Sequence, residues 1–489
     1  MAEYLYPGVY VEEIPRGPRP IEGVPTNTTA MLGAAERGPI VPTRVTRPSE
    51  YARWFGKPGA GAELMAHAAR GFFENGGQRL WVCRVVSSAA TTAQVSVGNH
   101  VIAAIGPGAW GARLWVKLSP GSTRDGQGAP VGFRLRVALF APGDAPADCF
   151  DGVSAAATPI LAEDHDDLVM EPRSADYCVE RLRASVLVEL RLADPVSAAP
   201  PEFSGTLAGG ADGTPIEAAD FAPALAALEG QPDVSLLYAP AADEATQRML
   251  VAHCERENFR FAVIDAPRGA DPKTLEPRAS IADTACAAYY TPWLDVPHEG
   301  STRRVPPGGH VLGIYARMDL ERGVHQAPAN LELRGVSGLE FAVSDAQQDT
   351  LAPRGVNVIR AFAGRGIRVW GARTLSSRAE AKYVNIRRHL IYLQRSIEVG
   401  TQWTVFEPND EALWAKLKQQ VEGFLLAHWR SGALQGSKPE QAFVVICDRS
   451  VISANDLDLG ILNCVIGVAP LKPAEFVEIH ISHRLATTL

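Results

Sequence analysis

The order of strand-like and helix-like segments is the feature that most restricts how this chain can fold. Residues 28–86 have the pattern of a strand, a helix and a strand, and residues 218–265 continue with helix, strand, helix and strand. Such alternation is typical of a parallel sheet covered by helices. Between these regions, residues 88–204 show strand-like alternation with turn signals instead. The sequence therefore predicts an α/β core that is split by an inserted, mainly β domain.

Individual segments support both parts of this prediction. Leu64, Ala68 and Phe72 lie at helical spacing on one apolar face, whereas Arg113–Leu118 and Phe133–Phe140 alternate between apolar and polar residues. Insertion at an exposed loop is tolerated because the two ends of such a loop lie close together. We therefore expect the inserted domain to occupy an outer position.

The last third of the chain predicts a further α+β region. Apolar residues between Tyr383 and Ile397 recur at three- and four-residue steps, which indicates an amphipathic helix. A second helix is expected to begin after Asn409 and Asp410, which can cap free amide groups, and to stop at Gly432. Strands are predicted at Phe443–Cys447 and Cys464–Val468.

Each end of the chain carries a short strand-like segment tethered by prolines. Three prolines between residues 15 and 20 follow the first segment, and Pro470 and Pro473 precede the second. The predicted N-terminal strand consists of Val9, Tyr10, Val11, Glu12 and Glu13, and the predicted C-terminal strand consists of Phe476, Val477, Glu478, Ile479, His480 and Ile481. An isolated strand leaves backbone groups unpaired, so it joins either its own sheet or a neighbour's. The pattern alone leaves both arrangements open.

Composition narrows the class of protein. A length of 489 residues with 46% hydrophobic content predicts two or three domains, and the net charge of −8 argues against direct nucleic-acid binding. The seven cysteines lack metal-site or redox-motif spacing, so we expect reduced core residues. No leader-like start and no apolar run of about 20 residues is present, so we expect cytoplasmic synthesis and no membrane partner.

Motifs for catalysis or cofactor binding are missing from the sequence. It contains neither a phosphate-binding loop nor an HExxH pair, and Gly335–Leu339 misses the nucleophile elbow at its last position. Gly364–Gly366 lacks the third glycine of a dinucleotide fingerprint at the required spacing. The acidic run Asp164–Asp167 predicts a solvated turn and not a calcium loop. We therefore predict no catalytic, cofactor-binding or metal-binding residues.

Several blocks of the sequence resemble one known family. The chain is similar to the contractile tail sheath proteins of phages, R-type bacteriocins and extracellular contractile injection systems. The blocks that carry the resemblance are Tyr6–Glu13, Val305–Val311, Ala327–Asn330, Gly355–Arg360, Gly364–Leu375 and Phe406–Asp410. The later blocks make the likeness nearly continuous from residue 300 to 481, whereas residues 88–204 match only in position.

The resemblance implies a role and a set of partners. It implies a structural subunit that forms a helical polymer, with both terminal strands added to sheets of neighbouring copies. It further implies an inner tube protein against the C-terminal domain, baseplate and terminal cap proteins at the ends, and an outward-facing inserted domain. It implies no enzymatic activity, and assembly in the bacterial cytoplasm as part of a tail or tail-like particle.

The sequence pattern and the resemblance together predict the domain boundaries and the residues that contact the inner tube protein. The predicted parts are an N-terminal arm (1–27), a middle α/β domain (28–87 with 205–300), the inserted domain (88–204), an inner α+β domain (301–472) and a C-terminal linker strand (473–489). Cations on one of the two C-terminal helices are expected to meet an oppositely charged tube surface. The candidates are Arg387 and Arg388 on the first helix or Lys416 and Lys418 on the second, and the sequence leaves both alternatives open.

Two other classes of protein compete with the sheath hypothesis. An α/β enzyme with an inserted lid domain would need a convergent set of polar side chains, and its activity would depend on single buried polar residues. A monomeric binding protein would give a single soluble species by light scattering. A sheath subunit would give polymers.

Overall fold

The computed structural model describes residues 20–58, 64–151, 158–192 and 198–475. In chain order, its strands are β1 (Thr29–Gly33), β2 (Thr43–Val45), β3 (Leu80–Arg84), β4 (Gln94–Val97), β5 (His100–Ala104), β6 (Leu114–Pro120), β7 (Phe133–Leu139), β8 (Leu161–Leu168), β9 (Val188–Arg191), β10 (Phe203–Thr206), β11 (Leu236–Tyr238), β12 (Phe261–Asp265), β13 (Ala287–Thr291), β14 (Leu294–His298), β15 (Ser301–Val305), β16 (Gly338–Leu339), β17 (Val356–Phe362), β18 (Gly366–Trp370), β19 (Phe443–Ile446) and β20 (Val465–Val468).

The helices are α1 (Pro48–Phe55), α2 (Leu64–Glu74), α3 (Cys178–Leu182), α4 (Phe221–Ala227), α5 (Glu244–Glu257), α6 (Pro277–Ser280), α7 (Gly308–Glu321), α8 (Asp345–Leu351), α9 (Val384–Gly400), α10 (Glu411–Arg430), α11 (Pro439–Ala442) and α12 (Ala454–Asp458). The described chain divides into two units. The larger unit comprises residues 25–391 and 473–475, and the smaller unit comprises residues 20–24 and 392–472.

An eight-stranded sheet organises the larger unit. Its order is β18-β17-β13-β12-β11-β1-β3-β2, with parallel pairing from β17 to β3 and an antiparallel strand at each edge. Strand β1 lies between β11 and β3, so segments from both sides of the inserted region share one sheet. Strand β12 is buried along its whole length, as expected for a parallel sheet with both faces covered. The predicted split α/β core is confirmed.

Helices pack on both faces of this sheet. On one face α2 and α7 approach closely, because a Cβ atom on Gly309 would lie 2.4 Å from the carbonyl oxygen of Ala68, and one on Gly313 2.5 Å from that of Phe72. On the other face, buried apolar residues of α4 and α5 join those of the strands in a second core. The sheet therefore has an apolar layer on each side, which is why its strands read as continuous apolar runs.

The inserted region forms two further sheets around its own apolar core. Their orders are β10-β6-β7-β8 and β4-β5-β9. The predicted acidic turn Asp164–Asp167 is wrong, because these residues lie in β8. Arg134 on the neighbouring β7 donates to both carboxylate oxygens of Asp164, at 2.7 and 2.6 Å. The acidic residues therefore form part of a sheet, and a cross-strand ion pair with β7 stabilises this position.

The structure divides the chain at a different place from the domain boundary expected at residue 300. Strands β17 and β18 extend the eight-stranded sheet, and α7 supplies Val311, Leu312 and Tyr315 to the same apolar core as α2. Parallel pairing of β13 with β17 joins the two sides of the expected boundary. Residues 301–391 therefore belong to the larger unit.

The smaller unit is built around α10 and the antiparallel pair β19–β20. The carboxylate of Asp410 accepts a hydrogen bond from the amide of Leu413 at 2.8 Å, so the predicted capping residue does begin this helix. Gly432, just beyond the end of the helix, has a φ of +77°, which suits glycine. Leu417, Val421 and Leu425 of α10 are buried in the core of this unit.

The predicted terminal strands, Val9–Glu13 and Phe476–Ile481, lie outside the described residues. Their pairing stays a prediction. The structure describes the chain from residue 20, after the predicted N-terminal strand, to residue 475, before the predicted C-terminal strand.

Candidate functional site

The last described residue, Glu475, is held by a cluster that we call the C-terminal anchor. Arg373 donates from Nε and Nη2 to the two carboxylate oxygens of Glu475, both at 2.7 Å. The ammonium of Lys382 and the hydroxyl of Tyr383 each lie 3.1 Å from Oε2 of the same carboxylate. Burial opposes ionisation, but the hydrogen bonds from Arg373 and Lys382 outweigh it and hold the pKa of Glu475 below its usual value.

Local backbone contacts position the cations of this anchor. The amide of Arg373 donates to the side-chain oxygen of the buried Asn357 at 2.7 Å. The amide of Thr374 donates to the carbonyl of Lys382 at 2.8 Å, so the segments that carry the two cations run side by side. These contacts position the cations of the anchor, and none of them involves Glu475.

In the smaller unit, residues 20–24 are fixed against α9. Ile21 is buried, and a Cβ atom on Gly23 would lie 2.2 Å from the hydroxyl oxygen of Tyr392, so a larger residue there would displace the tyrosine ring. The amide of Val24 donates to Oγ of Ser396 at 3.1 Å. The chain that follows the predicted N-terminal arm strand is thus held by packing and by a backbone hydrogen bond.

In the larger unit, Thr26 contacts a buried ion pair. Arg388 donates from Nη1 to Asp319 at 2.9 Å and from Nη2 to the carbonyl of Thr26 at 2.9 Å. The hydroxyl of Thr26 donates to the other oxygen of Asp319 at 2.6 Å. The side chains of Arg388 and Asp319 are only 3% and 2% exposed. Asp319 therefore accepts from two side chains in a site that excludes water.

The burial of Arg388 corrects one of the four expected tube contacts. Its guanidinium also stacks over the ring of Tyr315 at 4.8 Å, so it has no surface from which to meet a partner. Arg387 is half-buried and donates to the sulfur of Cys286 at 3.4 Å. On α10, Lys416 is exposed over the ring of Trp403, and Lys418 lies 3.9 Å from Glu422. For these three cations the tube contact stays a prediction.

The β19–β20 pair, which we call the acceptor sheet, has features of an incomplete sheet. Among the described residues, these two strands pair only with each other. Val444, Ile446 and Val465 lie on one face, and the two valines are 50% and 49% exposed. Two strands alone are marginally stable, and their outer edges present unpaired backbone groups. An apolar face that is open to solvent is typical of a surface that a partner covers.

A loop of the smaller unit displays a large apolar side chain in an unfavourable backbone conformation. Phe406 is fully exposed and has a φ of +70°. The loop is fixed on both sides, because the indole of Trp403 donates to Gln420 at 2.8 Å and that of Trp414 donates to Asn409 at 2.7 Å. Strain of this kind persists where the surroundings impose it, and it marks candidate functional positions.

Polar groups near the carboxyl ends of the parallel strands are used to hold the fold. Asp265, at the end of β12, accepts from the hydroxyl of Tyr238 at 2.6 Å and from the amide of Gly308 at 2.8 Å, which lies at the start of α7. Burial raises the pKa of Asp265 to about 7, although these hydrogen bonds lower it. Asp243, in the cleft beside β1 and β11, caps α5 through the amide of Thr246. Among the described residues, no cluster of three metal-ligating side chains occurs.

Comparison with known proteins decides the family. Residues 214–375 match the family model described as "Phage tail sheath protein central domain". Residues 376–483 match the model described as "Phage tail sheath C-terminal domain". Together they cover more than half of the chain. The chain belongs to the phage tail sheath family. The sheath resemblance inferred from the sequence blocks is thereby confirmed.

Relatives of this sheath chain match it over part of their length. The tail sheath protein of Vibrio phage KVP40 is 26% identical over 182 residues, which is 36% of this chain and 26% of that protein. The tail sheath protein of Burkholderia phage BcepMu is 31% identical over 145 residues, which is 28% of this chain and 30% of that protein. The chain thus spans less than a third of either relative. These matches give no support to an enzyme with an inserted lid domain.

Solved structures share the fold of the sheath chain over nearly its whole length. The helical sheath of the anti-feeding prophage in its contracted state has a TM-score of 0.62 at 22% identity, covering 98% of this chain and 99% of that one. A PVC sheath complex of an extracellular contractile injection system, also contracted, has a TM-score of 0.60 at 20% identity, covering 99% and 98%. In the part of the chain that the structure describes, no helix has the length and apolar character needed to cross a membrane.

Sequence reasoning missed the residues that fix the chain ends. Glu475 and Arg373 are 102 positions apart, so no local pattern joins them. Phe406 and Gly371–Arg373 lie within the blocks that carry the family resemblance, but no pattern in the sequence predicted an individual role for them.

Proposed function

We propose that this chain is a structural sheath subunit that polymerises around an inner tube and contracts from a metastable extended state. Contraction would drive the tube through a target envelope. The acceptor sheet carries this proposal, because no other described strand pairs with either of its edges and it has an exposed apolar face, while the sequence predicts a strand near each end of the chain. Membership of the tail sheath family supports the same role.

In this proposal the two terminal strands, Val9–Glu13 and Phe476–Ile481, add to the acceptor sheets of neighbouring copies. A strand supplied to a different molecule forms a heterologous contact, and contacts of that type build open helical polymers. Added strands are held by main-chain hydrogen bonds, which do not depend on the orientation of the rest of the subunit. The proline-rich segments beside them can therefore change direction while the copies stay joined.

Contraction is then a rigid-body rearrangement that runs downhill in free energy, from a metastable lattice to one with more complementary contacts. No nucleotide is required for such a step. The C-terminal anchor supports this mechanism, because it fixes the root of one connecting strand to the larger unit.

The proposed partners are other copies of the chain, an inner tube protein, and baseplate and terminal cap proteins. For the tube contact we retain Lys416 and Lys418 of α10 and Arg387 of α9, with residues 88–204 facing outward. Phe406 joins this set of contact residues as an exposed apolar side chain on a rigid loop. We propose assembly in the bacterial cytoplasm, as part of a tail or tail-like particle.

Electron microscopy of the expressed chain tests the connecting role. We expect the full chain to form ordered tubes and a chain without residues 1–20 to form none. A matched control deletes only residues 1–5, which leaves Val9–Glu13 in place and is expected to keep the tubes. Circular dichroism and urea unfolding of each chain establish that the fold is retained.

Ordered tubes from the chain without residues 1–20 would overturn the connecting role of the N-terminal strand. A full chain that stays monomeric at every concentration tested would overturn the sheath function itself. The two failures are distinguishable because they come from different samples.

A further inference from the structure

Two cysteines of the smaller unit lie opposite each other at the end of the acceptor sheet where a long loop connects its two strands. Ile446 pairs with Val465 in the antiparallel ladder, so Cys447 and Cys464 occupy the next opposed positions. The two thiols are close enough for each to affect the pKa of the other. Cys447 is buried and Cys464 is half-buried, so Cys464 is the more accessible residue of the pair.

We propose that Cys447 and Cys464 are a redox site that closes to a cross-strand disulfide when the chain meets a small-molecule disulfide of the glutathione class. Opposed positions on neighbouring antiparallel strands bring two side chains within bonding reach. The bond would join the ends of β19 and β20 across the loop of residues 448–463. At that end of the ladder a long loop, and not a tight turn, connects the two strands.

The exchange balances as a two-step thiol–disulfide reaction. The Cys464 thiolate attacks one sulfur of the small disulfide, which forms a mixed disulfide and releases one small thiolate. The Cys447 thiolate then attacks the Cys464 sulfur, which forms the protein disulfide and releases the second small thiolate. The protein loses two electrons and two protons, and the small disulfide is reduced to two thiols.

The surroundings of the pair predict a slow reaction at neutral pH. Burial, followed by the neighbouring Cys447 thiol, raises the pKa of Cys464 to about 12. Burial also raises the pKa of Cys447. Because the thiolate is the attacking species, the rate should rise about tenfold per pH unit in the range below these pKa values.

Another pair of neighbouring cysteines provides an internal comparison. Cys254 and Cys286 lie in the core of the larger unit, where they are 0% and 5% exposed. Both are less exposed than the half-buried Cys464, so a small disulfide in solvent reaches them less readily while the fold is intact. The proposed reaction therefore selects the pair at the acceptor sheet through access and not through proximity alone.

The test incubates the full chain with oxidised glutathione and maps its peptides without reduction. We expect a linked peptide pair that contains Cys447 and Cys464, a loss of two of the seven free thiols, and a higher urea midpoint that dithiothreitol reverses. In Cys447→Ser we expect a stable glutathione adduct at position 464. Cys149→Ser, which changes a half-buried cysteine of the inserted region, is the matched control and should react as the unsubstituted chain does.

Glutathione adducts without the linked peptide, a link that involves any other cysteine, or seven unchanged thiols would each overturn the proposal. The map of the unsubstituted chain decides between these outcomes even where a serine variant misfolds. None of them depends on polymer formation, so the result is independent of the proposed sheath function.

Discussion

Arg388 is held from three sides inside the larger unit. Asp319 neutralises its charge, the carbonyl of Thr26 accepts its second hydrogen bond, and the ring of Tyr315 covers the guanidinium plane. Because this ion pair is deeply buried, both Arg388 and Asp319 have lost their hydration and depend on contacts within the protein instead. Removing one partner leaves the other charged and unsolvated, which costs more than the pair itself contributes.

Substitution of Arg388 by Met is therefore expected to lower the free energy of unfolding by about 3–5 kcal/mol. Lys416→Met, at an exposed position of α10, is the matched control and should change it by less than about 0.5 kcal/mol. Urea unfolding of both variants measures the difference. Equal effects of the two substitutions would contradict the buried pairing.

For Phe406, in contrast to Arg388, we expect substitution not to lower the free energy of unfolding. Its positive φ is unfavourable for any residue with a Cβ atom, and its side chain is fully exposed. Replacement by Gly should leave the free energy of unfolding unchanged or raise it by up to about 1 kcal/mol, whereas Val keeps the strain. Both variants should form fewer tubes. A loss of stability above about 1 kcal/mol in Phe406→Gly would show that the residue serves the fold of the monomer.

At the scale of elements, the acceptor sheet and the C-terminal anchor are complementary. No other strand in the described part of the chain pairs with either edge of the sheet, and the anchor fixes the position of Glu475. An arm that leaves from a fixed root loses less conformational freedom when it binds, because fewer residues have to be ordered. The anchor can thus favour assembly without contacting the partner.

Glu475→Gln removes the charge that Arg373 and Lys382 share. We expect a small change in the stability of the monomer, about 1 kcal/mol, because the cluster is partly exposed. Ordered tubes should be markedly fewer in electron micrographs. Glu422→Gln, which changes the exposed partner of Lys418, is the control. Equal tube yields from the two variants would remove the anchor from the assembly mechanism.

At the scale of the whole molecule, buried histidines make stability depend on pH. Burial is the largest cause that lowers the pKa of His67, His253 and His310, each to about 4. The unfolded chain, with a histidine pKa near 6.5, binds more protons between pH 6.5 and 4. Each histidine therefore contributes about 3 kcal/mol that is present above pH 6.5 and lost as the pH falls towards 4.

Asp265 acts in the opposite direction. Its pKa is raised to about 7 in the folded chain, so it favours folding increasingly as the pH falls from 7 to 4, by about 4 kcal/mol. Three histidines outweigh this one carboxyl group. We expect the free energy of unfolding to be lower at pH 4.5 than at pH 7.5 by roughly 3–5 kcal/mol.

Urea unfolding at a series of pH values checks this balance. His310→Phe should reduce the slope between pH 4.5 and 6.5 by about one proton, because His310 is fully buried and the phenyl ring keeps its packing. A wild-type chain that gains stability on acidification would contradict the burial of these rings. So would a His310→Phe slope equal to that of the wild type.

The sequence by itself determined the elements, because side-chain periodicity is a local property. It predicted the order of helices and strands over residues 218–265 and the capping role of Asp410, and its strand–helix alternation predicted a split parallel sheet. The family blocks added the sheath identity. Where prediction and structure differ, as for the acidic strand β8, polar residues at strand positions had hidden the element.

The tertiary structure alone decided which residues meet. Residues 301–391 contribute strands to the sheet of the larger unit. The buried Arg388 pairs with Asp319, which is 69 positions away in the sequence, and Arg373 pairs with Glu475, which is 102 positions away. A residue's periodicity reports which face it shares with its near neighbours, whereas its burial and ion-pair partners depend on elements that are distant in the chain. These pairings arise only when the sheet order brings those elements together.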